Sequence, residues 1–177
     1  MKKETVSVII GVTGALLIVL LAFLIVWRAG IFGVSREKLE QDARKSQEID
    51  GSWEMAQGIN DGLCVMLFYD EDKTEYVYSV YLTKDKPSYG YFFREGGTYP
   101  YIDENVHGIV YEEKGIALLS LNADKVCRIV TRDSVAEETI EVDPTQPFAL
   151  VLPCDCGEIT MYDAAGNIVT LYDVYKE

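Results

Sequence analysis

The side chains of this 177-residue chain that could carry chemistry are four cysteines, a single histidine and a few runs of acidic residues. Pro153-Cys154-Asp155-Cys156-Gly157 is the most reactive-looking run. A Cys-x-Cys pair can chelate zinc, but a structural zinc takes four ligands, and the other candidates (Cys64, Cys127, His107) are scattered singly over distant strands. The usual Cys-x₂-Cys spacing is absent, and nothing beside the pair marks a redox dithiol. Free thiols in a hairpin loop are the expectation, with a structural disulfide as the alternative. His107 lies in an apolar run, and with no Gly-x-Ser-x-Gly elbow a hydrolytic triad has little support; a half-buried structural histidine is expected. Asp70, Glu71 and Asp72, or Glu112 and Glu113, could form a carboxylate pair or a calcium site. Neither group has the Asp-x-Asp-x-Asp-Gly spacing of a calcium loop, so both read as solvated turns. The expectation is no catalytic residue, no metal and no cofactor.

The aromatic residues suggest binding instead. Tyr89, Tyr91 and Phe93 alternate along one strand, with Tyr99 and Tyr101 beyond the Glu95-Gly96-Gly97 turn and Tyr76, Tyr78 and Tyr81 on the preceding strand. Rings aligned on an exposed sheet face can stack on a sugar or dock a protein, because tyrosine offers apolar area with a polar tip. The competing reading is that tyrosine simply favours pleated, half-buried surfaces, in which case these rings are core.

Tyr162-Asp163-Ala164-Ala165-Gly166-Asn167 resembles the tip of a YD (Rhs-type) repeat hairpin, in which Tyr-Asp-x-x-Gly-Asn turns one strand into the next. The match covers six residues in one copy. It implies a tight hairpin with Gly166 or Asn167 at positive φ.

From Trp53 onward the hydrophobic period is two. Candidate strands rich in Val, Ile, Tyr, Phe and Thr fall near 53–57, 63–69, 74–82, 88–94, 106–112, 116–122, 126–132, 138–142, 147–152, 158–162 and 167–175. Acidic and glycine-bearing turns separate them, such as Asp70-Glu71-Asp72-Lys73 and Asn122-Ala123-Asp124-Lys125. Many short strands with no amphipathic helix between them predict an all-β, antiparallel sandwich-like domain over 51–177. Before it, Ser35 can cap a short helix ending near Gly51, with Glu40 and Arg44 paired at i, i+4. Only Leu39, Ala43 and Ile49 are apolar there, which predicts a solvated juxtamembrane stalk over residues 28–50.

At the other end of the chain, a tail of residues 1–5 carries Lys2 and Lys3, and Val6 to Trp27 contains no charge over 22 residues. At helical rise this stretch reaches about 33 Å, enough to cross a hydrocarbon core of roughly 30 Å. It exceeds a signal-peptide core and lacks a small-residue cleavage site, so a retained single-pass anchor in the cell membrane is expected. Ser7, Gly11 and Ala15 form a small-residue stripe through which two such helices could pack as a homodimer. Trp27 and Arg28 read as interfacial anchors, with Ile31, Phe32 and Val34 as an apolar collar at headgroup depth.

Residues 28–177 hold 14 Lys/Arg against 28 Asp/Glu, a charge that opposes phosphate backbones and excludes nucleic acid as an expected partner. The basic residues gather in the neck: residues 28–45 hold 5 against 3 acids, whereas residues 46–177 hold 9 against 25. A basic neck suits anionic headgroups. The charge count, two Lys before the span and five Lys/Arg after it, places the domain in the cytoplasm, whereas a Lys-Lys tail before an uncleaved helix and a β-rich domain places it outside. The outside orientation is expected. The functional expectation is a binding module at the cell envelope whose partners, besides the bilayer, are an envelope protein or glycan. Its rivals are a glycan-acting enzyme using acidic residues and a regulatory domain facing the cytoplasm.

Overall fold

A computed structural model of the protein describes residues 13, 14, 16–24, 28, 30–84, 88–98, 102–111 and 113–176, the last four by their backbone alone. The Lys2-Lys3 tail, the stripe of Ser7, Gly11 and Ala15, and Trp27, Tyr99, Tyr101 and Glu112 lie outside the described residues. The stretch from Val6 to Trp27 lies partly outside them too. Residues 16–24 are helical, and among the described residues no helix is long and apolar enough to cross a membrane.

The rest is mostly β, in three four-stranded sheets. Sheet I is a meander of β1 (Glu54–Ile59), β2 (Leu63–Tyr69), β3 (Tyr76–Thr83) and β4 (Tyr91–Gly97), each strand antiparallel to the next. Sheet II has the order β12 (Leu171–Lys176), β5 (Val106–Tyr111), β6 (Gly115–Ser120), β9 (Phe148–Leu152). Sheet III has the order β11 (Ile168–Val169), β10 (Glu158–Asp163), β7 (Val126–Arg132), β8 (Glu137–Glu141). All pairings are antiparallel except β12 with β5, which is parallel. The expectation of antiparallel sheets therefore holds with that one exception, and strand positions agree with the expected ranges to within a few residues, except that the single strand expected over 167–175 is two, β11 in sheet III and β12 in sheet II.

Two cores show how the sheets stack. Leu63, Val65, Leu67 and Val80 of sheet I pack with Ile109, Ala117, Leu119 and Ala149 of sheet II. On the other face of sheet II, Val106, Leu118, Phe148 and Leu152 pack with Val126, Ile129 and Met161 of sheet III. Alternation along β6 sends Ala117 and Leu119 one way and Ile116 and Leu118 the other, so this strand is apolar on both faces because both are covered. At the junction of sheets I and II, Gly58 of β1 lies against β9, where an added β-carbon would stand 2.6 Å from the Leu150 backbone. A side chain there would prise the two edge strands apart.

The segment expected to be a solvated stalk belongs to the fold. A short 3₁₀ turn, Arg36–Lys38, leads into helix α1, Leu39–Ser46. Leu39 and Ala43, at i and i+4, are fully buried against Cys64, Met66, Phe68, Tyr81 and Tyr91 on the outer face of sheet I. Two apolar residues suffice because the helix has only about two turns. Polar bonds secure it. The Tyr81 hydroxyl donates to Asp42 at 2.8 Å, the Gln47 amide donates to Ser79 and to the Tyr78 carbonyl, and Arg44 donates to the carbonyls of Asp50 and Trp53 while its guanidinium lies 4.9 Å from the Phe68 ring centre.

Candidate functional site: a clamped neck and a groove at opposite ends

The apolar collar pairs with the sheet. The chain from Ile31 to Val34 lies along the free edge of β4, bridging Phe32 with Tyr89 and Val34 with Tyr91. Four backbone hydrogen bonds of 2.7–2.8 Å hold it: Gly33 N–H to Tyr89 O, Val34 N–H to Tyr91 O, Tyr89 N–H to Ile31 O and Tyr91 N–H to Val34 O. Two glycines make the approach possible. A β-carbon on Gly33 would stand 2.4 Å from the Tyr91 carbonyl oxygen, and one on Gly90, at φ 86°, would stand 2.7 Å from the Val34 oxygen. The clamp also pairs the backbone groups of Tyr91 at the start of this edge strand.

The proposed aromatic face divides at this edge. Tyr91 belongs to the core beneath α1 and donates its hydroxyl to the Asn60 carbonyl. Tyr89 is 68% exposed and stacks on Phe32, itself 63% exposed, with ring centres 6.0 Å apart. Phe93 is 47% exposed and meets the buried Tyr81 edge-on at 5.5 Å. Nearby, the Lys84 ammonium sits 3.9 Å from the centre of the Phe92 ring. Of the other tyrosines, Tyr78 and Tyr81 are core. Exposed rings therefore do stand at the neck end of sheet I, as the stacked pair of Phe32 and Tyr89 and, farther along β4, Phe93 on Tyr81. Tyr91 and Phe93 share a face of β4, and the difference between them is that Tyr91 lies in the core with Leu39 and Ala43 while Phe93 is only partly covered.

At the other end of sheet I lies a groove of about 550 Å³ between the Lys73 turn, Asp103, the 121–125 turn, Pro144-Thr145 and Ala164. Thr83 pairs with Tyr91 at the neck end, whereas the Lys73 turn joins β2 to β3 at the far end. Asn122 builds the groove wall. It is buried in the left-handed region at φ 63°, and its side-chain amide donates to the carbonyls of Val126, Asp143 and Gln146 while its oxygen accepts from Val126 N–H at 2.7 Å. Lys73 donates to the Thr145 carbonyl at 2.7 Å and ties the third loop in. The walls are thus preorganised, and their volume falls within the range of ligand sites. The sequence marked 122–125 only as a turn. An Asn whose side chain bonds its own turn and the distant 143–146 loop leaves no local pattern.

The other chemical candidates are structural. His107 is buried on β5, its ring 5.2 Å from that of Tyr172. All four cysteines are free thiols. Burial pushes the Cys64 thiol up to about 11, against a 3.3 Å contact from the Gln57 amide that works the other way. Burial also raises Cys156, which lines a small cleft with Asp133, Glu138 and Asp155, surroundings that disfavour a thiolate. Among the described residues no group of three or more His, Cys, Asp or Glu is placed to hold a metal. The acidic turns spend their carboxylates locally: Asp70 accepts from the N–H groups of Glu75 and Thr74, and Asp163 from Asn167 and Ala165, holding both below the usual carboxylate range. The 162–167 turn has Gly166 at φ 85°, and Asp163 N–H bonds to Asn167 O at 3.0 Å, the tight hairpin that the Rhs-like tip implies.

No protein-family model, no curated protein and no solved structure matches this chain.

Proposed function

We propose that this chain is a single-pass membrane protein whose β domain is a binding module held outside the cytoplasm, with the Asn122 groove presented away from the bilayer. The observation that carries this reading is the placement of neck and groove at opposite ends of sheet I. The anchor is supported by residues 16–24, a helical run whose Leu, Ile, Val and Phe side chains are all more than half exposed. A helix whose apolar side chains are exposed on every side is matched by lipid around it. Binding rather than catalysis is supported by the groove's chemistry: Leu121, Ala123, Pro144 and Ala164 give apolar area, Lys125 and Thr145 give polar contacts, and Asp103 is the one carboxylate lining it. The ligand class that fits is a segment of an envelope protein or glycan.

The test pairs topology with binding. In intact cells a membrane-impermeant thiol reagent should reach the exposed Cys154 without lysis. Envelope polymers and peptides titrated against the protein should shift amide resonances of residues 121–125, and Lys125→Glu should remove that response. Labelling that requires lysis would establish the cytoplasmic orientation favoured by the five basic residues of the neck. Turnover of a glycan, abolished by Asp103→Asn, would establish the enzymatic rival.

A further inference from the structure

We propose that the exposed rings at the neck end of sheet I, Phe32 stacked on Tyr89 and Phe93 farther along β4, rest in the headgroup layer of the bilayer, so that anchor and domain move as one rigid body. The inference rests on the anchor reading above and adds what the domain does next to the membrane.

The length of the connection carries the argument. Arg28 is still helical, and Phe32 is already bridged to Tyr89, with the hydrogen bonds of Ile31 and Gly33 on either side of it. Four residues of extended chain span at most about 14 Å. The rings are therefore held within that distance of the end of the apolar helix, close to the headgroup layer that flanks the hydrocarbon. The clamp removes the freedom a flexible stalk would have given, because the backbone on either side of Gly33 is bonded to Tyr89 and Tyr91.

The chemistry of the patch fits the same occupant. Aromatic rings with one wet edge concentrate at membrane interfaces, where an apolar body meets headgroups. Lys84 places an ammonium over Phe92 next to Gly30, where a β-carbon would stand 3.8 Å from it. Lys38 and Lys45 line the shallow cleft beside Gly33 and Val34. With Lys84, Lys38 and Lys45 at this end, against the single carboxylate of Asp42 lining the cleft, anionic lipid is a complementary surface. A protein or glycan partner would have to reach the patch past the bilayer itself.

Full-length protein in nanodiscs of phosphatidylcholine and phosphatidylglycerol, a fraction of the lipid carrying a headgroup nitroxide, provides the test. Membrane integration is first read separately, by flotation of proteoliposomes after alkaline wash. If the chain does not float, the anchor reading fails and the docking proposal with it. If it floats, the expected result is loss of the amide signals of Phe32, Tyr89 and Phe93 beside the nitroxide, with those of residues 121–125 retained. The double variant Phe32→Ser, Tyr89→Ser should float equally, unfold at the same urea concentration and recover the Phe93 signal. A floating chain whose ring amides keep full intensity overturns the docking while leaving the anchor intact. So does patch broadening that survives the double variant, or that disappears when protein is diluted at constant lipid, which would mark a second copy as the occupant.

Discussion

Gly33 and the carbonyl of Tyr91 are in such close contact that a single added carbon on Gly33 would overlap the oxygen at 2.4 Å. The neck clamp thus depends on the absence of a side chain, and Gly33→Val should release the neck while sparing the cores behind it. Hydrogen exchange checks this: protection at Tyr89 and Tyr91 should fall, while the amides of β2 stay protected. Equal loss in both places would mean that the neck and sheet I form one cooperative unit.

Leu39 is the apolar plug between α1 and sheet I. Leu39→Ala should destabilise the domain by about 2–5 kcal/mol, as truncations of buried leucines do. The exposed Ile168→Ala should stay within about 0.5 kcal/mol. Urea titration of both variants gives the comparison. By the same logic, a fragment beginning at Glu48 uncovers Cys64, Met66 and Phe68 and should aggregate, whereas one beginning at Gly30 should be soluble and β-type by circular dichroism.

The thiols should separate by burial. Cys154 is exposed and should react with a maleimide in the native protein, whereas Cys64, buried and raised to about 11, should react only after denaturation. Mass spectrometry of briefly labelled protein reads both sites at once. Rapid modification of Cys64 under native conditions would mean that α1 lifts from the sheet.

Two titrations should shape stability from opposite sides. Burial first, then the hydrogen bond to Asp42, holds the Tyr81 phenol well above its ordinary value near 10. The folded state therefore retains that proton more strongly than the unfolded chain. The resulting stability is complete below the unfolded value and is lost as pH rises beyond it, so Tyr81→Phe should flatten the alkaline decline in urea midpoint. Asp70 is lowered, chiefly by the Glu75 N–H, so its contribution is present above the unfolded carboxylate value and disappears as pH falls through the lower folded one. Asp70→Asn should flatten the acid decline between pH 5 and pH 2 in the same measurement.

The strands were legible because their period and turn residues are local signals. The packing of α1 was not, although a different segment calls for it. Leu63 to Tyr69 is apolar without alternation, and all seven of its residues are buried. A strand of that kind needs cover on both faces. Sheet II covers one, and the helix with Leu39 and Ala43 covers the other; the requirement is written in β2 and met by a segment that precedes even β1. The aromatic patch was half legible. Tyr89 and Phe93 were found by alternation, but Phe32 joins them across the clamp, and Tyr91 sinks into the core where Gly90 turns the chain. The Asn122 groove arises from loops joined only by the fold, so no sequence window contains it.

The parallel pairing of β12 with β5 also governs how the protein is made. Sheet I joins strands that are neighbours in sequence and can assemble once residue 97 has emerged. Sheet II cannot, because β5 holds an open flank while all of sheet III is synthesised, until Leu171–Lys176 arrives to close it. Through that interval the molecule carries a bare, apolar strand edge, the feature by which nascent chains capture one another. Proteolytic trimming within the last strand returns a finished molecule to the same state, so the final six residues of sheet II serve as a seal against self-association during biogenesis and afterwards.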